Sequence, residues 1–93
     1  MGQGTLRIEV ATLRKLLPMW LRAAGFVLTD EWELDGGGRM LVVDVCVEGH
    51  GREVLEGYIG SMLRGLTVID GGVWYGYNKT SGLMYVKVAG SND

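Results

Sequence analysis

The sequence is short of the residues that most often carry chemistry. It holds one cysteine, one histidine and one proline in 93 residues. A lone thiol cannot close an internal disulfide or build a cysteine-rich zinc site, which excludes a stapled extracellular scaffold and points to a reducing compartment. Cys46 lies in an apolar run and reads as a small buried hydrophobe. A single histidine excludes a zinc-binding histidine pair, and no nucleophile elbow or kinase-type set of residues occurs. The chain therefore reads as non-enzymatic, with no cofactor and no metal.

Long hydrophobic runs are also missing. The longest, Met40 to Val47, is interrupted by Asp44 and is too short to span a bilayer. The start of the chain has no charged segment leading into an apolar stretch, and the myristoylation pattern fails after Gly2. The expectation is a cytoplasmic protein without a membrane partner. Net positive charge is absent too. The formal net charge is -2 and the nine cations are scattered, whereas binding through phosphates needs a basic surface. Amide side chains are limited to Gln3, Asn78 and Asn92, and arginine outnumbers lysine, which is compatible with a thermophilic source or a GC-rich genome.

What is present is a globular composition. Hydrophobic residues are 47% and charged residues 22%, enough apolar content for one folded domain over residues 1–93. Leu6, Ile8 and Val10 alternate as a short strand. Thr12 offers a cap to a helix with Leu13, Leu16, Leu17, Trp20 and Ala24 on one stripe. Pro18 falls inside it, so the helix either continues through the proline or begins there; Gly25 ends it. Residues 26–34 and 40–48 form two strands around Asp35-Gly36-Gly37-Gly38, in a register that pairs Trp32 with Leu41 and Leu28 with Val45. Asp30 then lands on the apolar face, which asks for a bulge, a strand edge or a paired carboxylate. Residues 52–66 read as a second helix. Thr67 to Ile69 are β-like, Asp70-Gly71 reads as a hairpin turn, and strands 73–78 and 83–88 close the chain. The order is β-α-β-β-α-β-β, with room for one more short strand. The expected architecture is an α+β two-layer sandwich, an antiparallel sheet with two helices on one face, with ferredoxin-like topology favoured.

Four features are candidate sites. In the last hairpin, Gly82 at a left-handed turn position pairs Lys79 with Leu83, which places Tyr75, Tyr77 and Tyr85 with Lys79 and Lys87 on one sheet face. That face suits a protein partner, foremost a second copy as a homodimer. The alternative is single-stranded nucleic acid stacked on the tyrosines; an ordinary solvated face is the plain explanation. Gly49-His50-Gly51-Arg52 opens the second helix and offers backbone donors to an anion, against a plain glycine turn flanked by Glu48 and Glu53. Asp30, Glu31, Glu33, Asp35, Asp44 and Glu48 make an acidic ribbon, which reads as a charged edge, or as the nucleic-acid-mimicking hairpin of a small viral or mobile-element inhibitor. Arg7, Arg14, Lys15 and Arg22 form a basic helix side, which reads as solvated. The resulting expectation is a small protein-interaction module.

Overall fold

The computed structural model describes residues 6–45 and 51–90. In chain order these form β1 (Leu6–Glu9), α1 (Val10–Ala23), β2 (Val27–Glu33), β3 (Arg39–Asp44), α2 (Arg52–Leu63), β4 (Leu66–Ile69), β5 (Gly71–Asn78) and β6 (Leu83–Gly90). The molecule is an α+β fold with two helices and a mostly antiparallel sheet. Four strands form an antiparallel sheet in the order β2-β3-β6-β5, while β1 and β4 pair in parallel as a separate ribbon. The ferredoxin-like order expected from the sequence is not what is found. A split βαβ arrangement would draw the first strand into the main sheet. Here β1 pairs with β4 alone among the described residues, and β3 and β6 hold the sheet centre.

Helix α1 runs through Pro18, which is buried. Proline costs a helix about 3 kcal/mol by removing one hydrogen bond and crowding the preceding turn. Leu13, Leu17 and Leu21 are fully buried on both sides of it, and their burial offsets that cost. The helix ends in a Schellman motif. Gly25 takes φ 96°, its N–H donates to the Arg22 carbonyl, and the Phe26 N–H donates to the Leu21 carbonyl. Phe26 then enters the core beside Leu21.

The core lies between the helices and one face of the four-stranded sheet. Leu13, Leu17 and Leu21 of α1 and Leu55 and Ile59 of α2 pack on Leu41 and Val43 of β3 and on Met84, Val86 and Val88 of β6. Cross-strand pairs share a face, so these contacts identify one side of the sheet as the helix side. Tyr58 ties the helices together, donating from its hydroxyl to the Trp20 carbonyl at 3.1 Å and meeting the Phe26 ring at 5.4 Å.

Both hairpins differ from the expected register by one residue. In the first, Trp32 pairs with Met40 and Glu33 with Arg39, and the register shifts between Leu28 and Asp30. The bulge accounts for Asp30, and it leaves Leu28 on the helix side while Trp32 turns to the other face. The turn is closed by Leu34, whose N–H donates to the Gly38 carbonyl and whose carbonyl accepts from Gly37, with Gly36 and Gly37 at positive φ and exposed at its tip. Gly38 is buried, and a Cβ there would stand 2.8 Å from the Val88 carbonyl oxygen and 2.9 Å from the Ala89 side chain. Arg14 holds the tip from α1 by donating to the Gly37 carbonyl at 2.6 Å.

In the second hairpin Asn78, not Lys79, pairs with Leu83. Gly82 does occupy the left-handed region, at φ 73°. The extra loop residue follows from Asn78, whose side-chain oxygen accepts from the Thr80 and Ser81 N–H groups while its carbonyl accepts from Gly82. Asp70 also differs from expectation. It takes φ 59° and turns the chain, but β4 pairs with β1 rather than with β5.

Candidate interaction surface

The second register decides where the aromatic residues face. Tyr75 pairs with Val86 and Tyr77 with Met84, so both lie on the helix side. Tyr85 pairs with Gly76 and Lys87 with Trp74, on the opposite face. The single tyrosine face expected from the sequence is therefore divided. A one-residue slip in pairing exchanges every side chain of β5 between faces. Lys79 belongs to neither group and sits exposed in the β5–β6 loop.

Tyr75 and Tyr77 meet α2 at the edge of the sheet. Arg52 stands over the Tyr77 ring, 5.3 Å from its centre, and bonds Glu56 at 3.2 Å. Partial burial raises the Tyr75 phenol above its ordinary value, with a smaller push from the Glu56 charge. Both rings remain partly exposed, Tyr75 at 41% and Tyr77 at 36%.

The opposite face carries no helix. Following the pairing across all four strands, one row reads Trp32, Met40, Lys87, Trp74, and the next reads Asp30, Val42, Tyr85, Gly76. Trp32 and Trp74 are 43% and 48% exposed at the two ends of their row, and Met40, Lys87 and Tyr85 are half-buried between and beside them. The Lys87 ammonium lies 5.4 Å from the centre of the Trp74 ring. Neither tryptophan was singled out as a site residue by sequence alternation. Trp32 needed the bulge at Thr29 and Trp74 the loop of four, and neither irregularity has a signature in apolar spacing alone.

Of the proposed anion turn, Gly49 and His50 lie outside the described residues, as does Glu48 of the acidic ribbon. Gly51 caps α2, with its carbonyl accepting from the Leu55 N–H, and Arg52 is engaged by Glu56 and Tyr77. In the acidic ribbon, Glu31 and Glu33 sit on the helix side and are met by arginines. Arg22 bonds Glu31 at 2.8 Å and Arg39 bonds Glu33 at 3.0 Å. Arg14 and Arg22 of the basic helix side thus hold the first hairpin against α1. Among the described residues, no three His, Cys, Asp or Glu side chains converge on a metal-binding set, no pocket opens, and no helix is long and apolar enough to cross a membrane. Comparison with protein-family models, with curated proteins and with solved structures finds no match to this chain.

Proposed function

We propose that the chain is a non-catalytic protein-interaction module that docks another protein on the helix-free face of its four-stranded sheet. One observation carries this reading: the cross-strand row Trp32–Met40–Lys87–Trp74, with a half-exposed tryptophan at each end. Contiguous exposed apolar surface marks interaction sites, and tryptophan dominates binding energy where it can be buried by a partner. The next row adds Tyr85, half-buried beside the buried Val42. Asp30 and Asp44 share the face with Lys87, so its charges do not make the positive field that single-stranded nucleic acid requires. The fitting occupant is a protein surface of apolar side chains with a basic group at its margin. The single cysteine suits work in the cytoplasm.

The test compares wild type with Met40→Glu, which places a charge mid-row on the open face. Circular dichroism confirms that the variant is folded. A partner retained by wild type, lost from Met40→Glu and cross-linked at Lys87 is the expected result. Retained proteins that bind both forms equally, or cross-links mapping elsewhere, would overturn the reading. Salt-sensitive binding of labelled oligonucleotides would replace the protein occupant with nucleic acid.

A further inference from the structure

The four-stranded sheet has two edges, and they are built differently. Edge strand β2 carries Asp30, Glu31 and Glu33 and a bulge at Thr29. Charge and bulges are what proteins use to stop another strand from pairing on an edge. Edge strand β5 has neither. Its eight residues, Gly-Gly-Val-Trp-Tyr-Gly-Tyr-Asn, contain no charge and no proline, its pairing with β6 is regular, and Trp74 to Asn78 are all exposed. A long uncharged edge that exposes Trp74, Tyr75 and Tyr77 is a template for a further strand.

We propose that this edge pairs with the same strand of a second copy, antiparallel about a two-fold axis at Tyr75, joining two sheets into one of eight strands. The strand's own sequence selects this occupant. Pairing centred on Tyr75 sets each Trp74 opposite the second copy's Gly76, so a large ring covers a residue with no side chain, and sets Val73 opposite Tyr77. Every one of these matches is repeated by the symmetry, as an isologous interface requires. No charge in either strand opposes it.

A strand edge alone is smaller than the ~800 Å² per partner of a stable dimer. The flank of α2 extends it. Arg52, Glu56 and Gly60 recur at four-residue spacing on the side of α2 that faces Tyr75 and Tyr77. A Cβ at Gly60, as at Gly57 elsewhere on α2, would meet nothing within 4 Å, so nothing among the described residues requires glycine there. Glycine inside a helix is unfavourable, and a close approach by the second copy's α2 supplies the missing reason. The interface borders the docking face at Trp74 and leaves Trp32, Met40 and Lys87 uncovered.

The test is absolute mass by light scattering in reductant. Wild type is expected at twice the monomer mass. Tyr75→Lys sets two lysines against each other on the axis and is expected to give a folded monomer, whereas Trp32→Ala, on the opposite edge, leaves the mass at two chains. A second measurement uses Tyr75→Cys with Cys46→Ser. Antiparallel partners hold their Cα atoms ~4.5–5.5 Å apart, within disulfide reach, so mild oxidation should link two copies, while Asn78→Cys in the same background should not. A wild-type monomer at all concentrations, or a Tyr75→Lys protein that stays dimeric, overturns the proposal. Either result leaves the Met40→Glu test of the docking face unaffected.

Discussion

The two faces of the four-stranded sheet are made from the same strands and are opposite in character. On the helix side, Leu41, Val43, Met84, Val86 and Val88 are almost wholly withdrawn from water. On the other side, Met40, Tyr85 and Lys87 alternate with them and are only partly buried, while Val42 among them is 4% exposed. An ordinary solvated face would alternate apolar with polar. Here the outward positions are themselves largely apolar, with tryptophan at both ends of one row. The helix side is apolar because folding needs it; folding gives no such reason for the half-exposed Trp32 and Trp74, which is why binding is proposed on the outer side.

That contrast is broken most directly by truncating neighbours on β3. Leu41→Ala removes a fully buried side chain and is expected to cost ~2–5 kcal/mol. Met40→Ala, one residue earlier and on the open face, is expected to cost under ~1 kcal/mol, the scale of a cross-strand contact. Urea unfolding of the two variants measures both. Equal losses would mean that the open face is covered within the chain, and the docking proposal would fall with them.

The glycines sharpen the contrast at the margins of the sheet. A Cβ at Gly71 would collide with the Val10 side chain and the Ala89 carbonyl. Gly71→Ala is therefore expected to destabilise by ~1–3 kcal/mol, as overpacking does. Gly60→Ala is expected to act in the opposite direction. It should stabilise the isolated chain by up to ~1 kcal/mol through helix propensity, read by unfolding at low protein concentration, while weakening self-association at high concentration. Stabilisation without any loss of self-association would remove Gly60 from the proposed interface.

Much of the fold was legible because it depends on local signals. The apolar stripes gave both helices, Gly25 gave the end of α1, and two of the three glycine turns gave hairpins, Asp70-Gly71 being the exception. Sheet order was not legible, because the parallel pairing of β1 with β4 depends on contacts between residues some sixty positions apart, Leu6 with Leu66 for example. The single aromatic face expected from the sequence is divided by the structure. Tyr85 and Lys87 do lie on the helix-free face, but Tyr75 and Tyr77 do not, since one additional residue in the loop after Asn78 reverses β5. Alternation shows which residues share a face within a strand. Which face that is depends on the turn, and here an Asn side chain accepting two backbone N–H groups decided it.

The smallest expected effect separates the two sides of the same strand by pH. Tyr75 is held on the helix side, where burial first and the Glu56 carboxylate second keep its phenol protonated above the ordinary range. A group whose folded value is raised contributes its full stability below the unfolded value, near pH 10, and loses it as pH rises toward and through the folded value. Stability should accordingly fall from about pH 10 upward as the unfolded chain releases the Tyr75 proton first. Tyr75→Phe should fall less steeply over that window and match wild type closely at neutral pH. Unfolding midpoints in urea, taken for both proteins from pH 8 upward, make the comparison. The two proteins differ only in this hydroxyl, so the difference between the curves belongs to Tyr75. Parallel curves would mean that the phenol is solvated as freely in the folded chain as in the unfolded one, and that β5 does not turn this side chain toward α2.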